Sequence, residues 1–224
     1  MSIATDTVTG EAPPRRHRRG PPRSREAFRN ELIAIARDIF QREGYAGVTI
    51  RRITAAAGLT AMSFYSYFEN KEALLTVIWD DLIQDSVRVC QDAVPDQAPP
   101  VDQVVAYFDT FLGYWLARGD DFRFIFLSDS NQVDYIGLRK RLFTLRGVSS
   151  HFENYMDLAR PLFAGRPDVE PSVDALRLQS MFMALGFLHC AIGVYSYTPD
   201  ELRPLRALLG DDLRRRVRDL QGRP

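Results

Sequence analysis

The sequence predicts an all-α protein. Apolar residues recur at spacings of three and four along most of its 224 residues, which is the period of a helix with one buried face. No stretch of any length alternates apolar and polar residues as a half-buried strand does. Ser, Thr and Asn precede these apolar stripes while Gly and Pro follow them, as expected at helix starts and ends. The chain is long enough for one large or two small domains.

The first predicted helix begins after Ser24, a favourable N-cap, and carries Glu26 in its first turn, where the helix dipole favours an acid. Gly44 is predicted to end it. The buried face is formed by five residues, at positions i, i+3, i+4, i+7 and i+8 counted from the first of them. They are Leu32, Ile35, Ala36, Ile39 and Phe40.

Two short helices joined by a tight turn follow. Thr49 is predicted to cap the second helix, and Gly58 provides the left-handed residue after it. Thr60 caps a third helix that we expect to continue to about Phe68. A helix, a short turn containing glycine and another helix is the layout of a helix-turn-helix, which places its second helix in the major groove of DNA.

The third helix has an outer surface suited to nucleic acid. Phe64 and Phe68 lie four residues apart and are predicted to face inward. Small and hydroxyl-bearing side chains suit close approach to base edges and phosphates. Those left on the outside are Ala61, Met62, Ser63, Tyr65 and Tyr67. The alternative, that Tyr65 and Tyr67 are ordinary half-buried tyrosines, stays open.

A fourth helix begins directly after this segment. Asn70 is its predicted N-cap and Glu72 lies in its first turn. Lys71 stands beside the free N–H groups of this helix end, so we expect it to meet a phosphate.

Residues 28–75 resemble the DNA-binding domain of the tetracycline-repressor (TetR) family of bacterial transcription regulators. The resemblance is carried by Phe40, Gly44, Tyr45, Thr49, Ile53, Ala57, Gly58, Ser63, Tyr65, Tyr67, Phe68, Lys71, Leu74 and Leu75. It implies phosphate contacts from Thr49, Tyr65 and Lys71. It also implies base contacts from Thr60, Ala61, Met62 and Ser63, and from Arg51 on the second helix. Two residues depart from the family pattern: Thr54 stands where Ala is usual, and Met62 where Gly or Pro is frequent.

Charge is distributed unevenly although the net formal charge is zero. Residues 1–71 carry 12 Arg or Lys and 7 Asp or Glu, a net of +5, and the remainder carries −5. A basic N-terminal end on an acidic body fits a DNA-binding module. The stretch from Arg15 to Arg25 is the densest basic segment, and the prolines within and before it oppose helix formation. We predict a disordered basic arm at 1–23, which either follows the DNA backbone or minor groove or is a solvated tail.

The predicted domains are the arm, a helix-turn-helix domain at 24–70 and a helical ligand-binding and dimerisation domain at 71–224. Apolar stripes in this body predict a helix ending before Pro95, one ending at Gly119, one from about Asp134 to Arg160 and one capped by Ser172. The last helix starts with Thr198, Pro199, Asp200 and Glu201, the pattern of a capping box with proline at the first position.

The stretch from Met181 to Val194 is apolar on nearly every side, so we expect it to be covered all round. It is shorter than the ~20 residues of a membrane span. A second subunit is the natural cover for the side that the body leaves open, and the alternative is a fully intramolecular core. The family resemblance likewise implies a homodimer through the last two helices, which would bind a palindromic operator in double-stranded DNA.

The body is rich in aromatic residues, and the resemblance implies a pocket there for a small-molecule effector that releases a repressor from its operator. The residues expected to line it are Phe108, Phe111, Trp115, Phe126, Phe152, Tyr155 and Phe182. Taken singly, each is more often plain core, and as a group some of them are expected to line the cavity. A hydrophobic effector is expected, with a ligand-independent or partner-controlled regulator or activator as the alternative.

An enzyme is disfavoured, because the chain has no phosphate-binding loop, no HExxH, no CxxC and no nucleophile elbow. The histidines at 17, 151 and 189 are isolated in sequence, so neither a metal nor a cofactor is expected. Only Cys90 and Cys190 are present, and no apolar signal segment begins the chain. We therefore expect a reduced, cytoplasmic protein.

Overall fold

The computed structural model describes residues 24–127, 144–195 and 197–222, and every element of secondary structure within these ranges is helical. The N-terminal helices are α1 (Arg25–Gly47), α2 (Ile50–Ala56) and α3 (Ala61–Phe64). The body contains α4 (Lys71–Asp92), α5 (Pro100–Ala117), α6 (Gly119–Phe122), α7 (Arg146–Ala159), α8 (Val169–Leu188) and α9 (Pro199–Gln221). The predicted all-α fold with an N-terminal helix-turn-helix is confirmed.

Three shorter helical segments extend these elements. A π-helical turn, Arg123–Leu127, continues α6, and a 3-10 turn, Arg160–Phe163, continues α7. A second π-helical turn, His189–Val194, continues α8. The polar loop and residues 134–143 of the helix predicted from about Asp134 to Arg160 lie outside the described residues. Thr144 and Leu145 are not helical, so the described helix begins only at Arg146.

Most predicted caps are present, because a side chain and a backbone N–H three residues apart satisfy each other locally. Ser24, Thr49, Thr60 and Asn70 each accept a hydrogen bond from the backbone N–H three residues later. Thr198 forms the full capping box with Glu201. These residues fix where the five helices begin.

Three predicted boundaries were wrong or incomplete. Gly44 has a φ of +69° and kinks α1, but one further helical turn follows before the chain leaves at Val48. The third helix ends at Phe64 and is followed by a non-helical turn before Phe68. Ser172 does not cap α8: this helix begins at Val169, and the Ser172 hydroxyl donates to Asp168 from within its first turn.

The body is a helical bundle with α4, α5 and α7 packed side by side and α8 and α9 laid against α5. Trp79 of α4 and Trp115 of α5 are fully buried in its core. The N-terminal domain joins the same core, because the Phe40 ring of α1 lies 3.6 Å from the Phe124 ring, which in turn meets Trp79 edge-on. Helix α1 is therefore attached to the body through aromatic contacts.

The helical segment Val169–Val194 is one continuous run of 26 residues. It is long and apolar enough to cross a membrane by those two criteria, and the run is longer than the apolar stretch singled out from the sequence. Only 33% of its most apolar window is buried within the protomer. One side of it packs on α5, α7 and α9, and its opposite side is exposed at Phe182.

Candidate nucleic-acid interface and internal cavity

The turn between α2 and α3 is built by local hydrogen bonds and one left-handed glycine. Gly58 has a φ of +67°, which L side chains rarely adopt. The Leu59 N–H donates to the Thr54 carbonyl at 2.8 Å and closes the turn. Thr54 is buried, and its hydroxyl donates to the Ile50 carbonyl at 2.9 Å. A threonine is thus accommodated against the turn, because its polar group is satisfied inside its own helix.

The Thr49 and Thr60 hydroxyls cap the starts of α2 and α3, so each already makes a hydrogen bond within the protein. Thr49 Oγ1 accepts from the Arg52 N–H at 3.3 Å. Thr60 Oγ1 accepts from the Ser63 N–H at 3.2 Å and lies 2.9 Å from Ser63 Oγ. Thr49 and Thr60 are nevertheless exposed residues, so each hydroxyl can add a contact on its outer side.

The outer face of α3 and the turn after it is open to solvent. Met62 is 79% exposed and Tyr65 is 55% exposed, the largest apolar exposures in the N-terminal domain. Ala61 is exposed as well, and Ser63 and Tyr67 are half-buried. Phe64 and Phe68 underneath are buried, as predicted. The aromatic pair anchors the turn while the surface above it stays free for a ligand.

Two basic residues flank this face. Arg51 on α2 is exposed. The Lys71 ammonium lies 3.8 Å from the centre of the Tyr45 ring, and the Tyr45 hydroxyl donates to Glu72 at 3.5 Å. The ring holds the Lys71 side chain at the start of α4, beside the recognition element.

A further basic residue at this face was not identified from the sequence. The Arg25 guanidinium donates to the Ser66 carbonyl at 2.8 Å, so the first residue of α1 lies against the turn that follows α3. The spacing of 41 residues between them leaves no local signal for this contact. The predicted arm itself, residues 1–23, lies outside the described residues.

The body contains a cavity of about 80 Å³ between α5, α7 and α8. Three residues of each helix line it: Tyr107, Phe108, Phe111, His151, Phe152, Tyr155, Arg177, Ser180 and Met181. Four residues from the set predicted to form a pocket are among them. His151 and Tyr107 were not in that set, although Tyr107, Phe108 and Phe111 share one helical face, as do His151, Phe152 and Tyr155.

Three other members of the predicted set lie elsewhere. The Trp115 ring meets Phe122 and Phe126 edge-on, with centroids 5.7 Å apart for Trp115 and Phe126. Trp115 also meets the cavity-lining Phe111 edge-on at 6.3 Å, so this cluster adjoins the cavity without lining it. Phe182 is 68% exposed on the far side of α8. Consecutive side chains of a helix point in different directions, so Phe182 points away from the cavity although the preceding residue, Met181, lines it.

Within the ranges that the structure describes, no group of three or more His, Cys, Asp or Glu side chains is placed to hold a metal ion. Cys90 is buried and Cys190 is exposed, and both are free thiols. Burial raises the pKa of the Cys90 thiol to about 12. Cys90 is therefore a core thiol that stays protonated at neutral pH, and Cys190 is a thiol open to solvent.

Comparison with known proteins places the N-terminal segment in a family. Residues 32–78 match the bacterial regulatory proteins of the tetR family. The chain is 33% identical over 86 residues to the HTH-type transcriptional repressor DhaR of Mycobacterium sp. (strain GP1). That match covers 38% of this chain and 43% of the relative, so the chain spans less than half of that relative's length.

Solved structures share the fold over most of the chain. BioQ of Mycobacterium smegmatis has a TM-score of 0.58 at 19% identity, covering 86% of this chain and 97% of that one. A structure of BioQ with its natural double-stranded DNA operator has a TM-score of 0.52 at 21% identity, covering 83% and 96%. At these identities the likeness concerns the fold of both domains.

Proposed function

We propose that this chain, as a member of the TetR family of bacterial regulatory proteins, is a homodimeric transcriptional repressor in the cytoplasm that binds DNA sequence-specifically. Its operator is a palindrome in double-stranded DNA, and a small apolar effector releases it. The domains are a basic arm at 1–23, a DNA-binding domain at 24–70 and a ligand-binding and dimerisation domain at 71–224. The exposed face of α3, held on a buried aromatic pair, is the observation that carries the DNA-binding role.

DNA contacts are assigned by exposure and chemistry. The start of α3, from Thr60 to Ser63, supplies the base contacts, and the Met62 side chain meets a thymine methyl group. Thr49, Tyr65, Tyr67 and Lys71 contact phosphates, with Arg51 reaching into the groove or to the backbone. The relative DhaR is named a repressor, and a BioQ structure of the same fold contains its DNA operator. Both support the proposal that this chain binds DNA through the same fold.

The homodimer is supported by an unpartnered apolar face on α8 and α9. Phe182, Leu205 and Leu208 are exposed by 68%, 41% and 56%. Gln179 lines the same groove as Phe182, and its buried side-chain oxygen has no hydrogen-bond partner in the described part of the chain. A second copy related by a two-fold axis would cover the apolar groups and offer Gln179 a donor.

Effector control is supported by the cavity between α5, α7 and α8 and by its connection to α4. The Ser86 hydroxyl of α4 lies 2.5 Å from His151 Nε2, and His151 lines the cavity. Helix α4 begins at Lys71, directly after the recognition element. A ligand that displaces His151 would therefore bias α4 and with it the DNA-binding domain, which is a shift between two arrangements of the dimer.

A regulator controlled by a partner protein, or an activator, is the alternative. An interaction of α8 and α9 with a different protein would cover the same apolar face. Mass measurement of the purified protein separates the homodimer from the partner-bound regulator, because a stable dimer with no second component leaves no such face open. The position of the operator relative to the promoter separates a repressor from an activator.

The test of the proposed function is a gel-shift titration of the full chain against the DNA upstream of its own gene. Arg51→Ala and Lys71→Ala should each weaken specific binding. Lys71→Ala should also reduce the slope of log affinity against log salt by about 1, because it removes one phosphate contact. Arg203→Ala is the matched control, since Arg203 is an exposed arginine on α9. Equal weak binding by all four proteins, with no preference for the upstream DNA, would refute the assigned interface.

A further inference from the structure

The cavity between α5, α7 and α8 has an apolar interior because its polar atoms are already paired. The Tyr107 hydroxyl lies 2.7 Å from His151 Nδ1, and Ser86 Oγ lies 2.5 Å from Nε2, so both ring nitrogens have a partner. The Tyr155 hydroxyl lies 2.6 Å from Ser180 Oγ. Burial lowers the pKa of His151 to about 4, and the imidazole is therefore neutral at neutral pH. A ligand inside this cavity meets aromatic rings and hydrocarbon.

The rim of the cavity has a different character. Arg177 places its guanidinium 4.7 Å from the centre of the Phe152 ring. The arginine side chain is only 17% exposed, and its described ion pair is with Asp174, which lies three residues earlier and is 49% exposed. An ion pair with so exposed a partner contributes little to stability.

Arg177 is the one formal charge among the residues that line the cavity. No carboxylate is part of the lining, and the Asp174 carboxylate that pairs with Arg177 lies outside it. The guanidinium donates through Nε and Nη2 to Asp174 Oδ1. A ligand carboxylate matches the same planar edge in charge and in geometry, so it can compete with Asp174 for it. The arrangement therefore combines an apolar chamber with an anion-binding group at its opening.

We propose that the effector of this protein is a compact carboxylate with a short, branched or cyclic apolar body. The body fills the cavity against Phe108, Phe111 and Tyr155, and the carboxylate takes the Arg177 guanidinium from Asp174. This inference rests on the proposed function, since it names the ligand class of the same regulatory site.

The size of the cavity limits the ligand. A cavity of about 150 Å³ lined by apolar side chains admits benzene. The chamber here has about half that volume, at about 80 Å³. On that scale its enclosed part takes a body of roughly three to five carbon atoms, while a longer acyl chain would extend out of the open side into solvent.

Binding is measured by isothermal titration calorimetry on the full-length protein without DNA. The probes are isobutyrate, isovalerate and pivalate, each compared with its primary amide, and octanoate tests the limit on length. We expect the carboxylates to bind at least about tenfold more tightly than the amides, because a charge-assisted pair to arginine is roughly twice as strong as a neutral hydrogen bond. Octanoate should bind more weakly than isovalerate.

Arg177→Gln should reduce the affinity for the carboxylates to that for the amides, and Arg177→Lys should retain a part of the difference. Arg215→Gln is the matched control, since it removes an exposed arginine of α9 that lies in the α8–α9 groove and does not line the cavity. Equal affinity for acid and amide in the wild type would overturn the anion-binding assignment, whatever the variants do. Binding of none of these probes, or tightest binding of octanoate, would overturn the ligand class.

Operator binding by the same protein preparation keeps this outcome separate from the proposed function. If the protein binds its operator and ignores every carboxylate, the ligand class is wrong and the DNA-binding role stands. If it binds carboxylates without recognising an operator, the DNA-binding proposal fails instead. Release of operator DNA by isobutyrate or isovalerate, absent in Arg177→Gln, is the result expected when both are correct.

Discussion

The Arg37 guanidinium of α1 lies 3.1 Å from the Asp121 carboxylate of α6, across 84 residues of sequence. Asp121 is 7% exposed, and it also accepts a hydrogen bond from Gln41 at 3.4 Å. This is a polar link between the DNA-binding domain and the body, beside the aromatic contact of Phe40 with Phe124. The α6 segment in turn holds the end of α8, because the Arg123 guanidinium donates to the Ile192 carbonyl at 2.7 Å.

Asp121→Asn should destabilise the protein by about 1 to 2 kcal/mol, because Arg37 loses a charged partner at a site that is only partly screened by solvent. Urea unfolding measures this loss. Asp120→Asn is the matched control, since Asp120 is an adjacent aspartate on the same helix and its side chain is 74% exposed. Equal effects of the two substitutions would contradict a role for the buried link.

Gly147→Ala should destabilise the protein by about 1 to 3 kcal/mol through overpacking. A Cβ at this position of α7 would lie 2.7 Å from Ile83 Cγ2 and 3.0 Å from the Gln84 backbone nitrogen, both on α4. The Gly147 N–H also donates to Asp80 at 2.8 Å, which fixes the approach of the two helices. The free energy of unfolding from thermal or urea denaturation measures the cost. The double variant with Ile83→Ala should recover part of the Gly147→Ala loss, and full additivity of the two losses would exclude a steric cause.

His151→Gln should flatten the pH dependence of stability between about pH 6.5 and pH 4. The pKa of His151 is lowered by burial to about 4 from 6.5, so the unfolded chain binds a proton in this window that the folded protein does not. Folded stability is complete above pH 6.5 and falls as the pH drops, by roughly 3 kcal/mol for a shift of this size. Urea unfolding at several pH values measures the slope. His189→Gln is the control, since His189 is exposed on the π-helical turn after α8, and it should keep the wild-type slope.

Phe182→Glu and Leu208→Glu should each convert the proposed dimer to a monomer, because each places a charge in the apolar face that a second copy would cover. Light scattering measures the mass. Cys190, in the π-helical turn after α8, is exposed in the single chain. We propose that the second copy covers it too, so thiol reagents should label it faster in these variants than in the wild type.

Cys90 serves as an internal reference in that experiment, because burial raises the pKa of its thiol to about 12 and keeps it unreactive in every folded variant. Val89→Glu is the matched control, since Val89 is an exposed apolar residue of α4 away from this face. A wild type that is monomeric at micromolar concentration would refute the dimer directly.

Local signals in the sequence predicted the helix starts and the helix-turn-helix well. Thr49, Thr60, Asn70 and Thr198 bond to N–H groups three residues away, so residue type and spacing suffice to place them. The burial of Phe64 and Phe68 followed from their spacing of four. Ser172 failed as a cap because Asp168, four residues earlier, ends up at the start of the helix and receives its hydroxyl.

The two candidate sites differ in the same way: local sequence sets the α3 surface, and contacts between distant helices set the cavity. The order and exposure of residues on α3 are set within a dozen residues, and the sequence by itself determined that surface together with the fold class. Only the tertiary structure decided that Tyr107, His151 and Arg177 share one cavity and that Arg37 meets Asp121, since each depends on how helices far apart in sequence pack. Periodicity tells which face of a helix is buried but not which neighbour it meets, and side-chain packing across α5, α7 and α8 makes that choice.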